Sequence, residues 1–119
     1  MSEAKTYSGG CHCGKVRYEA TTDLGTVISC NCSMCSKKGT MLTFIEPSAM
    51  KILSGKDEQT VYHFNKHVID HLFCKTCGIT SYATGKRPDG KEMVAINVRC
   101  LDGVDLDALK VTHFDGKSR

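Results

Sequence analysis

The chain has 119 residues, 16 Lys and Arg against 13 Asp and Glu, a formal charge of +3, no Trp and eight cysteines. That length gives one domain with a modest core, and no apolar run approaches the roughly 18–20 residues of a membrane span. The charge assumes neutral thiols. Metal-bound thiolates would bring it to about zero, without the basic stripe of a nucleic-acid surface.

Met1-Ser2-Glu3-Ala4-Lys5 has no apolar core of the secretory kind. The expected location is therefore cytoplasmic, where thiols stay reduced and a disulfide framework is disfavoured. Cys11-His12-Cys13 lies between Gly9-Gly10 and Gly14, which let the backbone bend around a metal. On an extended segment both thiolates share one face and His12 points away. Val16 and Tyr18 alternate with Lys15, Arg17 and Glu19, the pattern of a half-buried strand. Val27-Ile28-Ser29 leads as a strand into Cys30-Asn31-Cys32-Ser33-Met34-Cys35, and Thr40 to Ile45 is a further strand ended by Glu46-Pro47.

Val61 to Phe64 and Val68 to Phe73 read as a hairpin around Asn65-Lys66. His63, His67 and His71 fall within it as surface residues. Cys74-Lys75-Thr76-Cys77 follows, and Lys86-Arg87-Pro88-Asp89-Gly90 is a turn. Met93 to Cys100 reads as a strand with Val94, Ile96, Val98 and Cys100 on its buried face and Asn97 and Arg99 opposite. Cys100 then packs in the core as a small hydrophobe, completes a metal site, or acts as a redox partner. Asp105 to Lys110 allows a helical turn or two, and Val111 to Phe114 a last strand. The chain is expected to be mostly β, one small zinc-binding domain of short antiparallel strands over residues 5–116.

Seven of the eight cysteines form three clusters of two, three and two. Zinc takes four ligands in a tetrahedron, with Zn–S bonds of about 2.3 Å. Cys11 and Cys13 with Cys74 and Cys77 fit a closed structural site made from distant segments. Cys30, Cys32 and Cys35 can converge on a second zinc and leave one position open, so the expectation is two Zn²⁺ per chain. An open position suits an entering thiol, which the metal's field would deprotonate. Asn31 and Ser33 are placed to donate hydrogen bonds to metal-bound sulfurs. No P-loop, dinucleotide fingerprint or Ser-His-Asp order is present.

Three segments carry a family resemblance: Gly9-Gly10-Cys11-His12-Cys13-Gly14-Lys15-Val16-Arg17-Tyr18, Cys30-Asn31-Cys32-Ser33-Met34-Cys35 and Phe73-Cys74-Lys75-Thr76-Cys77-Gly78. Leu53-Ser54-Gly55 with Tyr62-His63-Phe64, and Ile96-Asn97-Val98-Arg99 with Leu101-Asp102-Gly103, fit the same pattern. With them the chain resembles the glutathione-dependent formaldehyde-activating enzyme family, which shares its domain with centromere protein V, from about Tyr7 to Phe114. The resemblance implies a β-tent-like fold, a structural zinc on Cys11, Cys13, Cys74 and Cys77, and a catalytic zinc on Cys30, Cys32 and Cys35. It implies a carbon–sulfur lyase that joins a small thiol such as glutathione to formaldehyde; neither nucleic acid nor membrane is expected as a partner, on the charge and the lack of a long apolar run. Lys37 and Lys38 either hold the carboxylates of a glutathione-like ligand or form a solvated turn, and Arg99 is a similar case. The competing reading is a non-catalytic, zinc-stabilised protein-binding module. A zinc-ribbon nucleic-acid binder is a third.

Overall fold

The computed structural model describes residues 4–30, 33–62, 69–86 and 89–114, with backbone only at 33–35, 69 and 114. Among them are ten strands: β1 (Lys5–Gly10), β2 (Arg17–Thr22), β3 (Val27–Cys30), β4 (Leu42–Ile45), β5 (Met50–Ser54), β6 (Gln59–Tyr62), β7 (Ile69–Cys74), β8 (Tyr82–Lys86), β9 (Glu92–Asn97) and β10 (Val111–Phe114). One short helix, α1 (Ser33–Lys38), follows β3. The protein is mostly β, as the strand patterns predict. No helix among the described residues is long and apolar enough to cross a membrane.

The strands form two sheets. One is three-stranded in the order β1-β2-β5, and the other is seven-stranded in the order β10-β3-β4-β9-β8-β7-β6. Every pairing is antiparallel except β10 with β3, which sets Phe114 opposite Cys30. The alternation read in β2 is real. Tyr18, Ala20 and Thr22 are buried, Arg17 and Glu19 less so, and Val16 just ahead of the strand is fully buried. Tyr18 carries the contact between the sheets. Its ring meets Tyr82 edge-on, with centroids 5.7 Å apart at 74°, and its hydroxyl donates to the Ser81 carbonyl at 3.2 Å. Such a pair adds about 0.5–1.5 kcal/mol beyond its area. At the rim, Asp102 N–H donates to Ser8 O at 2.8 Å, and Arg17 pairs with Asp102 at 2.6 Å. That ion pair is exposed and contributes about 1 kcal/mol or less.

β9 corrects the simple alternation. It lies between β4 and β8, and Val94, Ala95, Ile96 and Asn97 are all buried. The strand also ends at Asn97, earlier than expected. Asn97 Oδ1 accepts from Arg99 N–H at 3.2 Å, and Val98–Cys100 turns as a 3-10 segment closed by Leu101 N–H on Val98 O. The Asn side chain offers the backbone an alternative to the ladder. Cys100 therefore leaves the strand's buried face and sits half-buried. The hairpin of β6 and β7 forms with Tyr62 opposite His71, while its tip, with His63 and His67, lies outside the described residues. The turn at Leu106–Ala108 and the strand after it match expectation. β1, β5, β8 and α1 carry too little periodicity to be read from sequence.

Candidate metal centre

Two chain reversals build the site. The first joins β1 to β2: Cys11 N–H donates to Val16 O at 3.1 Å and Gly14 N–H to Cys11 O at 3.3 Å. Gly14 takes φ +82°, the left-handed region where a side chain would strain the turn. The pair is thus presented by a tight turn, not by the extended segment expected, and His12 faces solvent. The second reversal ends β7: Gly78 N–H donates to Cys74 O at 2.7 Å, and Cys74 N–H to Ile79 O at 3.0 Å. Lys75 N–H adds a bond to Glu58 O at 2.9 Å, which fixes this knuckle against the start of β6.

The two reversals bring Cys11, Cys13, Cys74 and Cys77 together, with their sulfurs within 4.8 Å of one another. Cys11 Sγ lies 3.5 Å from Cys13 Sγ, and Cys13 Sγ lies 3.6 Å from Cys74 Sγ. A tetrahedral zinc with four thiolates sets its sulfurs about 3.8 Å apart. The donor set fits the metal: four soft sulfurs at tetrahedral spacing, two of them buried. These cysteines can hold a metal ion. Loaded with zinc, all four positions would be filled by protein, the closed arrangement that supports a fold.

Backbone N–H groups surround the sulfurs and favour thiolates. Val16 N–H donates to Cys11 Sγ at 3.4 Å. The N–H of Ile79 draws the Cys77 thiol down to about 6, against the opposing effect of desolvation. Cys74 is lowered too, chiefly by the N–H of Cys77, again against desolvation. For Cys13 the N–H of Lys15 pulls downward, but desolvation and the neighbouring thiols push it up to about 11. Negative charge therefore concentrates on the Cys74–Cys77 knuckle.

Cys30 stands outside this cluster. It ends β3, half-buried, immediately before α1. Cys32 and Asn31 lie outside the described residues, as do the side chains of Ser33 and Cys35, although the backbone puts Cys35 on α1. Lys37 and Lys38 are exposed in the last turn of the helix. Lys38 Nζ donates to Thr80 Oγ1 at 2.6 Å, and Arg99 Nε donates to Gly39 O at 3.1 Å. Cys100 Sγ donates to Thr80 O and accepts from Asn97 Nδ2, both at 3.5 Å. Burial pushes its thiol up to about 11.

A profile of the glutathione-dependent formaldehyde-activating enzymes matches residues 6–114. The chain belongs to that family. It is also similar to a Rhodobacter sphaeroides protein of known crystal structure, 30% identical, with a TM-score of 0.79 over 90% of this chain and 99% of that one. The family match spans all three cysteine clusters, and its name is that of an enzyme acting with glutathione on formaldehyde.

The part of this family member that the sequence does not reveal is the polar framework between α1 and the knuckle. Thr80 and Gly39 have no pattern that marks them. Asn97 offers a faint signal, a polar side chain inside an apolar run, and it is buried because it donates to Thr80 O at 2.9 Å as well as holding the turn at Arg99.

Proposed function

We propose that this protein is a zinc-dependent carbon–sulfur lyase of the S-(hydroxymethyl)glutathione synthase kind. It joins a thiol such as glutathione to formaldehyde or a related carbonyl at Cys30, Cys32 and Cys35. One observation carries the reading: the closed four-sulfur cluster leaves Cys30 out, within a chain that matches the family across all three cysteine clusters. Cys30 is thus not consumed by the structural site. Two zinc ions per chain follow, one in each set, and a reduced, cytoplasmic setting suits both the thiolates and the thiol substrate.

A zinc on three thiolates supplies an open position and lowers the pKa of a thiol that enters it. The remaining work belongs to the chain. β3 is held between β10 and β4, the Cys30 backbone is fixed by its pairing with Phe114, and α1 starts at Ser33. In the reaction a thiolate sulfur attacks the carbonyl carbon, one C–S bond forms, and the carbonyl pair becomes an alkoxide. The alkoxide takes up the proton that the thiol released, so atoms and charge balance without any other reactant. The reverse step breaks the same C–S bond.

The test is exchange spectroscopy of ¹³C-formaldehyde with glutathione. The zinc-loaded protein should accelerate interconversion with the hydroxymethyl adduct in proportion to its concentration. Cys32→Ser should abolish the acceleration and retain one zinc equivalent. Uncatalysed rates from a protein holding two zinc ions would overturn the proposal.

A further inference from the structure

The outer face of the seven-stranded sheet carries an apolar groove. Register puts Phe44 of β4, Ala95 of β9 and Ala83 of β8 in one row across three paired strands. Met93 and Gly85 form the next row on the same face, two positions along. The opposite face sends Ile45, Val94, Ile96 and Tyr82 into the core. The small side chains make a floor, and Ala83 and Ala95 are only 7% and 9% exposed. Phe44 stands beside them as a wall, 47% exposed. The groove so formed has a volume of about 330 Å³. Thr84 and Lys86 also border it, but their side chains alternate to the other face of β8. A sheet with one face on its core ordinarily turns polar residues to water on the other, and this strip does not.

The same face leads to Cys30. Ile28 pairs with Leu42, and Cys30, two residues on, shares the face of Ile28, Leu42 and Phe44. β3 and β4 run antiparallel, so Cys30 and Phe44 lie four positions apart along the strands, about 13 Å. Half-buried Leu42 keeps the path between them apolar.

We infer that this groove holds the tail of the carbonyl substrate, and that the substrate class is an aldehyde with an unbranched aliphatic chain. The inference rests on the thiol-lyase reading and names its carbonyl. The groove lies at the lower end of small-ligand sites in size, with room for one alkyl segment. A floor of alanine and glycine suits an unbranched chain, and each methylene buried there gains roughly fourfold in affinity. With C–C bonds of about 1.5 Å, an extended chain of roughly ten carbons reaches from Cys30 to the groove. The chemistry is the same for any tail. The thiolate sulfur bonds the aldehyde carbon, the carbonyl pair moves onto oxygen, and that oxygen takes the proton the thiol released. Formaldehyde has no tail and gains nothing from the groove, so Phe44, Ala83 and Ala95 set specificity while the cysteines carry the chemistry.

1-Octanol is the probe, since it has the tail and no carbonyl. Titrated into the zinc-loaded protein and followed by NMR, it should give saturable shifts at Phe44, Ala83 and Ala95. Ala83→Leu fills the floor and should weaken binding roughly 10-fold or more, the place of about two methylenes. Phe44→Ser, at an exposed position, removes the wall and should weaken it about fourfold. Both side chains point away from the core, and an unchanged zinc count and circular dichroism spectrum check the fold. In exchange with glutathione, decanal should exceed butanal at least tenfold in kcat/KM. Ala83→Leu should erase that preference and leave formaldehyde exchange as it was. Catalysed formaldehyde exchange with no octanol bound, or with Ala83→Leu and Phe44→Ser binding octanol like the wild type, would overturn the groove and keep the lyase reading. Ala83-dependent octanol binding without exchange of any aldehyde would keep the groove and sink the lyase reading. A dimer that Phe44→Ser breaks, with no octanol bound, would give the face to a second copy of the chain and overturn the inference.

Discussion

Among the described thiols, Cys77 is the one whose surroundings most favour the anion near neutral pH. Its value of about 6 lies below the ordinary 9.0, chiefly because Ile79 N–H points at the sulfur. The sign of the linkage follows. The folded state gains stability from this thiolate in full above pH 9, and the gain drains away as pH falls from 9 towards 6. A bound cation extends the thiolate to still lower pH, since a proton must then displace the metal. Cobalt-loaded protein is therefore expected to keep its sulfur-to-cobalt charge-transfer absorption from pH 8 down to about 6 and to lose it only below that. Loss of those bands already at pH 7 would contradict the role of the knuckle amides.

At the scale of elements, the turn after β5 shows how tightly the small sheet is joined to the first cysteine loop. Gly55 takes φ +81°, and a Cβ there would lie 2.0 Å from the Lys15 carbonyl oxygen. Lys15 sits in the reversal that presents Cys11 and Cys13, and Ser54 Oγ donates to that same carbonyl at 3.2 Å. Gly55→Ala thus meets both a left-handed backbone and a backbone clash. We expect it to cost at least about 2 kcal/mol and to lower metal affinity at the four-cysteine site, measured by urea unfolding and by competition with a chromophoric chelator. An unchanged unfolding midpoint would mean that the β5 turn can move away from Lys15 freely.

For the whole molecule, the two cysteine sets differ in what they hold together. The four-sulfur cluster joins the β1–β2 turn to the end of β7, residues separated by about sixty positions, and so ties the three-stranded sheet to the seven-stranded one. The segment from Cys30 to Cys35 is local. Its metal, held by three thiolates in the proposed site, should therefore leave first. A mild chelator is expected to remove one zinc equivalent together with the exchange activity, reversibly and with little change in circular dichroism. The second equivalent should come off only with loss of the fold. Simultaneous loss of both ions would argue that the sites are not separate.

Much of this protein was legible in its residues. Cysteine spacing determined the partition into two, three and two, because a metal admits few ligand geometries. The alternation of Val16 and Tyr18 with Lys15, Arg17 and Glu19 determined which face of β2 is buried. The tertiary structure decided what depends on contacts between distant segments. It ended β9 at Asn97, because that side chain bonds Arg99 N–H and Thr80 O, and so moved Cys100 off the strand face where periodicity had put it. It also brought Arg99 and Thr80 to the end of α1, where they meet Gly39 and Lys38. Periodicity records only which face of a strand is covered. Partners sixty and forty-two residues away are fixed by sheet order, which no local pattern encodes.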